Sequence, residues 1–330
     1  MFRNKFASRL NSFSSRSDLF IENQNIKMST IDLIKRASLV KGLTDIDLNY
    51  PDHLGKNFKE VFQCASDKGL NINGLAMRYY TDPNFKIGAF TNPDKKIRQK
   101  AIDMTKRGID LARESGSNLM TIWLGQDGFD YGFQVDYSKL WEDEINGIRE
   151  VASYDPQCDI SIEYKPNDPR AYSLLPNLSS TLLALSEINL PNIGVTLDFA
   201  HLLYANEQPA HSASMVAKKS KLLGVHLNDG YGKRDDGMMV ASVHYQATVE
   251  LLYQINNDGY EGVIYFDTFP DSSGLDPVKE CEINIKNTKK IFEVVEKLQK
   301  NNELKIAMKN HDTVTSQNIF LEALGQKNSK

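Results

Sequence analysis

Cysteine is scarce in this chain of 330 residues, with only Cys64, Cys158 and Cys281, none of them close to another in sequence. An odd number of widely spaced cysteines excludes a disulfide framework and a cysteine-based zinc knuckle, and it is typical of buried thiols in a reducing cytoplasm. Apolar runs long enough to span a bilayer are also missing. Positive charge is not in excess either: the formal net charge is −4. We therefore predict a cytoplasmic protein with no membrane partner and no nucleic-acid partner.

The N-terminus is open to two interpretations. Residues 1–16, MFRNKFASRLNSFSSR, are rich in Arg and Ser, and no acidic residue comes before Asp18, a composition that resembles a transit peptide. The alternative is a first β-strand over residues 5–11, in which Phe6, Ser8 and Leu10 alternate with Ala7 and Arg9. We favour the strand because the architecture described next requires one at this place.

Strand and helix patterns alternate along the whole chain. One predicted strand contains Ile160 and Ile162 and ends at Glu163; the others cover residues 5–11, 44–48, 72–77, 118–124, 193–198, 222–226 and 262–267. Helical patterns cover residues 29–39, 58–68, 93–114, 138–152, 179–188, 210–220, 245–257 and 277–300. Eight βα units predict an α/β fold of the (β/α)8 TIM barrel type. An open doubly wound sheet is the alternative, but its glycine-rich turn after the first strand is missing.

The chain divides into two predicted parts. Residues 1–300 form the barrel, and residues 301–330 form a charged C-terminal tail with a helical, amphipathic patch at 319–324.

Four strands of the second half end in residues that bind metals. These residues are Glu163, Asp198, His226 and Asp267. Strand ends meet at one rim of a barrel, where three carboxylates would repel one another unless a divalent cation lay between them. His201 and Asp235, with Glu163 as a bridge, predict a second ion. Nitrogen and oxygen ligands favour Mn²⁺, Co²⁺, Mg²⁺ or Zn²⁺, with Mn²⁺ first and with one or two ions bound.

Lys165 lies two residues after Glu163, so both side chains point to the same side of the strand. An ammonium beside a metal stabilises negative charge on a carbonyl oxygen.

These residues together resemble the xylose isomerase-like TIM barrels, and within them the L-rhamnose isomerases and related metal-dependent aldose–ketose isomerases. The likeness includes the segments WLGQDGFDYGFQ and HLNDGYGKRDDGMMVAS. It implies first-site ligands at Glu163, Asp198, His226 and Asp267, second-site ligands at Glu163, His201 and Asp235, and a sugar pocket lined by Lys165 and Trp123. One departure is that Gly237 stands where the family's acidic loop often has a third acid.

The implied activity is isomerisation of an aldose and a ketose by transfer of hydrogen between C1 and C2. Lys165, Glu163 and Asp267 are the catalytic candidates, and either a hydride shift or an enediol route with proton transfer by Asp267 or Glu163 remains open. Trp123 is expected to pack against the sugar, while the outer hydroxyls bind Asp127, Gln134 and Arg78.

Other functions on the same barrel remain alternatives: a ketose 3-epimerase, an inosose dehydratase-type lyase, and a sugar-binding barrel without activity. A trinuclear-zinc repair nuclease does not fit, because only two of the six histidines lie at rim positions. The expected partner is a small-molecule sugar, with or without a phosphate near Lys233 and Arg234, and a homo-oligomer (dimer or tetramer) is expected.

Overall fold

Eight parallel strands close into a barrel in the computed structural model, which describes residues 5–21 and 27–325. The order around the ring is β1-β8-β7-β6-β5-β4-β3-β2, so each strand pairs with its neighbours in sequence and β8 closes onto β1. The strands are β1 Phe6–Arg9, β2 Asp45–Tyr50, β3 Asn71–Met77, β4 Leu119–Ile122, β5 Asp159–Glu163, β6 Ile193–Asp198, β7 Leu222–Leu227 and β8 Ile264–Phe266. The predicted (β/α)8 barrel is confirmed.

Helices surround the barrel and continue beyond it at the C-terminus. They are α1 Thr30–Ala37, α2 Phe58–Asp67, α3 Lys95–Glu114, α4 Tyr137–Tyr154, α5 Leu178–Ile188, α6 Phe199–Tyr204, α7 Pro209–Lys219, α8 Tyr245–Asn257, α9 Pro277–Lys300, α10 Asn302–Lys309 and α11 Thr313–Ala323. The eight helices expected from sequence are present, most within two residues of their predicted ends. Among the helices of residues 5–21 and 27–325, none combines the length and the hydrophobicity of a membrane span.

The first strand is required for closure. β1 pairs with β2 on one side and with β8 on the other, in parallel register. It is shorter than predicted, because Leu10–Ser14 forms a 3₁₀ helix. The structure therefore confirms a strand here, while residues 1–4 lie outside the described part of the chain.

The C-terminal extension is helical, as expected. α11 packs against α9, where Lys297 Nζ donates a hydrogen bond to the Ala323 carbonyl at 3.0 Å. Ile319 and Ala323 are buried in this contact. The extension thus covers the side of the barrel next to the last helices.

A layer of small and polar side chains lies directly below the predicted ligands. Ser161, Thr196 and Gly224 each precede a predicted ligand by two residues, so they share its side of the strand. The Ser161 and Thr196 hydroxyls are hydrogen-bonded at 2.6 Å. A Cβ on Gly224 would lie 2.5 Å from Thr196 Oγ1, which leaves no room for any side chain there. This packed layer sets the spacing of the strands that carry the site.

Glu144 on α4 is a buried acid with no partner. Its side chain is 0% exposed, and neither carboxylate oxygen has a hydrogen bond in the described structure. Burial, and secondarily the nearby Asp127, raises the pKa of Glu144 well above its ordinary value of 4.5. The folded protein therefore holds Glu144 protonated at pH values where the unfolded chain has released that proton.

This burial predicts a pH dependence of stability. The contribution of Glu144 to the free energy of unfolding is fully present below about pH 4.5. It is lost as the pH rises toward the raised pKa, since the unfolded state then binds fewer protons than the folded state. Glu144→Gln is expected to flatten the fall in melting temperature between pH 5 and pH 8, and Glu144→Met to stabilise the fold at pH 7 by about 1–3 kcal/mol. Glu150→Gln, on the exposed side of α4 beside Lys106, is the control. Equal pH slopes in all three proteins would contradict the assignment.

Candidate active site

The four strand-end residues converge at one mouth of the barrel. Glu163 and Asp198 are the last residues of β5 and β6, His226 is next to last in β7, and Asp267 follows β8 directly. One ligand atom from each lies within 4.8 Å of the ligand atoms of the other three. Glu163, Asp198 and His226 are buried. The separation of these atoms is that of one coordination sphere.

A second group shares Asp198 with the first. Asp198, His201 and Asp235 also offer ligand atoms within 4.8 Å of one another. α6 begins directly after β6, and Asp198 Oδ1 caps it by accepting the His201 N–H at 3.0 Å. This short connection brings the His201 ring back over the rim, with Nε2 at 3.2 Å from Asp235 Oδ2.

The shared acid differs from the one expected. Sequence reasoning assigned Glu163 to bridge the two groups, whereas the group of three that the structure brings together contains Asp198. Glu163 remains near, with Oε1 at 3.8 Å from His201 Nδ1.

The side chains present fit a divalent cation. Three buried atoms of the two groups have no hydrogen-bond partner in the described structure: His201 Nδ1, Asp235 Oδ1 and Asp267 Oδ1. Buried polar atoms without partners are costly, and cations bound at the two groups would satisfy all three. The donors are carboxylate oxygens and imidazole nitrogens, without any thiolate, which suits a hard or borderline metal ion.

The pKa values of these groups reflect the crowding of several carboxylates at one place. Burial raises the pKa of Asp198 to about 7. Burial disfavours charge on His226, but the charge of Glu163 outweighs it and raises the pKa of His226 to about 9. For His201 the charge of Asp198 has the corresponding effect, giving a pKa of about 10. Protons on the imidazoles therefore balance the acids in the protein alone, and a bound cation would replace those protons.

Asn228 was not predicted, yet it positions Asp198. Its Nδ2 donates to both Asp198 oxygens, at 3.1 and 3.0 Å, and to the Asp267 carbonyl at 3.1 Å. Its Oδ1 accepts the Ala200 N–H at 2.8 Å. Outer partners of this kind fix the orientation of a ligand carboxylate. The sequence signal was its place two residues after His226, on the same side of the chain.

Lys165 lies at the wall of the cavity above these groups. Its Nζ is 3.2 Å from Asp168 Oδ2 and 3.3 Å from Asp235 Oδ2, and it lies 5.2 Å from the centre of the Trp123 ring. Burial would lower the pKa of Lys165, but the two carboxylates, Asp235 first, raise it above its ordinary value. The side chain thus remains a charged donor.

The cavity has a volume of about 410 Å³ and combines an aromatic wall with charged walls. Trp123 and Tyr80 meet edge to face with ring centres 5.7 Å apart. The remaining lining residues are Arg9, Arg78, Gln126, Glu163, Lys165, Asp168, Pro169, His201, Asp235, Asp267 and Phe269. Trp123 and Arg78, both expected at a sugar pocket, therefore line this cavity.

Asp127 and Gln134 do not line it, which corrects their expected placement. Asp127 is 1% exposed and accepts hydrogen bonds from the backbone N–H groups of Ala89 and Thr91 and from the Thr91 hydroxyl. Gln134 Oε1 accepts from the N–H groups of Asp130 and Tyr131. Both residues hold loops in place, and Gln126 faces the cavity instead.

The acidic loop gives only one acid to the site. The Asp236 carboxylate accepts the Tyr231 N–H at 2.8 Å and the Arg234 Nε–H at 2.9 Å, away from Asp235. Gly237 has φ +55°, and a Cβ there would lie 2.3 Å from the Phe269 ring. A third acid at position 237 is therefore excluded by packing, and neither Lys233 nor Arg234 lines the cavity.

Comparison with known proteins agrees with this architecture. A xylose isomerase of Thermus thermophilus is 26% identical over 222 residues, which are 66% of this chain and 57% of that enzyme, so the match spans less than two thirds of the relative. A D-tagatose 3-epimerase-like protein superposes with a TM-score of 0.67 and 18% identity, over 88% of this chain and 99% of that one. The IOLI protein, solved with a zinc atom, superposes with a TM-score of 0.63 and 14% identity, over 88% of this chain and 97% of that one.

At these identities the two solved structures show a common fold. The resemblance to L-rhamnose isomerases in particular stays a prediction. The family model of the xylose isomerase-like TIM barrel matches residues 39–298, which is most of the barrel. The chain belongs to the family of xylose isomerase-like TIM barrels.

Proposed function

We propose that this protein is a metal-dependent sugar isomerase that interconverts an aldose and a ketose. The observation that carries the proposal is the group of four ligand atoms within 4.8 Å, next to a charged lysine in a cavity of about 410 Å³. Glu163, Asp198, His226 and Asp267 would hold one divalent ion, with Mn²⁺ as the first choice. His201 and Asp235, with Asp198, would hold a second.

The bound cation would supply Lewis acidity to two adjacent sugar oxygens. Lys165 donates a hydrogen bond to the carbonyl oxygen, where negative charge develops, and Asp168 and Asp235 keep its ammonium charged. Trp123 provides an apolar wall for the C–H face of the sugar. The conversion breaks the C2–H bond, forms a C1–H bond, and moves the proton of the C2 hydroxyl to the oxygen on C1.

Two routes for the hydrogen are distinguishable in deuterated water. A hydride shift transfers the hydrogen directly and leaves the product without solvent deuterium. An enediol route removes it as a proton through Asp267 or Glu163, so that solvent deuterium enters at C1.

The direct test is a screen of free pentoses and hexoses with purified protein. We expect dialysis against EDTA to abolish turnover of the accepted sugar, because the acids and imidazoles alone do not polarise its carbonyl, and added Mn²⁺ or Co²⁺ to restore it. Full activity in protein that contains less than about 0.05 metal ions per chain by elemental analysis would refute the proposal.

A 3-epimerase is the second candidate, and one observation favours it. The group of four ligands is complete without His201 and Asp235, and it places Glu163 and Asp267 at one cavity, where one acid could remove a proton that the other returns. Chromatography of the products from a single ketose separates the two functions: an aldose indicates the isomerase, and the C3 epimer indicates the epimerase.

A further inference from the structure

The wall of the cavity that faces the metal candidates carries fixed positive charge. Arg78 follows β3, and its backbone N–H donates to the Tyr50 carbonyl at 2.8 Å. β3 lies four strands from β7 around the ring of eight, so Arg78 stands across the mouth from His226. A substrate held at the metal candidates by C1 and C2 would extend its far end toward this wall.

Arg78 has no close ion-pair partner among the described residues. Burial would lower its pKa, but more distant charges, those of Asp267 and Glu163 among them, raise it. Within the described part of the chain no acid lies within 4.0 Å of its guanidinium, and its buried Nε has no hydrogen bond. The centre of the Tyr80 ring is 6.0 Å from the central carbon of the guanidinium. An unpaired guanidinium at a partly buried place is costly. Arginines in binding sites most often have a planar oxyanion as the partner, bound through two parallel hydrogen bonds.

Arg9, the last residue of β1, adds a second guanidinium to the lining of the same cavity. It lies 4.8 Å from the Phe269 ring centre, with Nε 3.7 Å from Asp267 Oδ1, beyond hydrogen-bond distance. His53 lies behind the two arginines but adds no charge, since its Nδ1 accepts the Asn49 N–H at 2.9 Å. The charge on this wall is therefore that of two arginines. Arg9 has the carboxylates of Asp267 and Asp271 within 4.0 Å. Arg78 has none that close in the described structure.

The net charge of the residues around the cavity mouth, with two ions bound, also favours an anionic ligand. Five carboxylates, of Glu163, Asp168, Asp198, Asp235 and Asp267, face the three cations Arg9, Arg78 and Lys165, which leaves −2 with neutral imidazoles. One divalent ion brings the mouth to zero, and two bring it to +2. With two ions bound, a neutral sugar would leave that excess without a counter-charge.

We propose that the substrate is an anionic sugar, whose carboxylate or phosphate, remote from the carbonyl, binds Arg78 with Arg9 beside it. This inference rests on the proposed isomerase function, because it takes the carbonyl end to lie at the metal candidates. A merely hydroxyl-binding role for Arg78 predicts no preference for charge.

The test is calorimetric titration of the Mn²⁺-loaded protein with matched sugars. The probes are hexoses and ketohexoses in their neutral form, as the C6 carboxylate and as the 6-phosphate. We expect one charged form to bind at least about tenfold more tightly than its neutral counterpart, as for a charge-assisted hydrogen bond. The carboxylate and phosphate arms identify which anion is bound.

Variants separate this contact from general charge attraction. Arg78→Gln is expected to remove the preference, Arg78→Lys to retain part of it, and Lys233→Gln, which loses the same charge on an exposed loop outside the cavity, to keep it. The inference is overturned if no charged sugar binds more tightly than its neutral counterpart. It is also overturned if Arg78→Gln and Lys233→Gln lose the preference for the charged sugar equally.

These outcomes are distinct from failure of the proposed function. Metal-dependent isomerisation of neutral sugars without a charge preference refutes only the anionic substrate. Sugar turnover that is independent of metal refutes the isomerase itself.

Discussion

Lys165→Met is expected to lower turnover by about 100- to 1,000-fold, the cost of removing one donor aimed at developing negative charge. Methionine keeps the length and the apolar stem of the side chain, so packing beside Trp123 is preserved. The substitution removes the hydrogen bonds to Asp168 and Asp235 but none of the candidate ligand atoms. Metal content by elemental analysis should therefore stay unchanged while kcat falls.

The control for this variant is Lys221→Met. Lys221 makes an exposed ion pair with Asp159 at the other end of the barrel strands, at 3.8 Å, and it lies outside the cavity. We expect its turnover to equal that of the unmodified protein. A Lys165→Met variant that is as active as the Lys221→Met variant would exclude Lys165 from the chemistry.

Asp198→Asn is expected to lower the affinity for metal, which Lys165→Met should leave unchanged. Asp198 belongs to both ligand groups, and it is 3% exposed. The amide keeps the size of the side chain and an oxygen that accepts the His201 N–H, so the start of α6 should persist. It loses the negative charge, and metal affinity should fall by more than the about 10- to 100-fold that the loss of an outer partner costs. Turnover at micromolar Mn²⁺ should be lost with it.

A matched acid in the same region separates a ligand effect from a loss of charge. Asp236 is adjacent in sequence to Asp235, but its carboxylate is bonded to the Tyr231 N–H and to Arg234. Asp236→Asn is expected to retain full metal affinity. If both variants bind Mn²⁺ as tightly as the unmodified protein, the carboxylate of Asp198 is not a ligand.

The barrel and the rim residues were predictable because the signals for them are local. Alternating strand and helix patterns fix the number of units, and the C-terminal end of a parallel strand has a known place in a barrel. Each of Glu163, Asp198, His226 and Asp267 lies within one residue of the end of such a strand, so their convergence follows from topology.

The loop residues were not predictable in the same way. The direction of a loop side chain depends on its tertiary neighbours, and Asp127 points away from the cavity because three donors from residues 89–91 surround its carboxylate. α6 was missed because it is only six residues long and begins directly after the last residue of β6. The capping position of Asp198, three residues before His201, was the available signal for that helix.

Asn228 and Arg78 show two further limits of sequence reasoning. An asparagine two residues after a strand-end histidine has many common roles, and only the contacts to both Asp198 oxygens identify it as a positioning residue. Arg78 was expected to bind a hydroxyl. That no acid of the described residues lies within 4.0 Å of its guanidinium became evident only in three dimensions.

Metal stoichiometry is the most direct measurement of whether these strand ends form a cation site. Protein stripped with EDTA, dialysed against 10 to 100 μM Mn²⁺ and analysed by atomic emission should retain about one ion per chain, or about two if Asp198, His201 and Asp235 also bind. The Asp198→Asn variant should retain less than a tenth of that amount. Unmodified protein that retains no Mn²⁺, Co²⁺, Mg²⁺ or Zn²⁺ under these conditions would contradict the account.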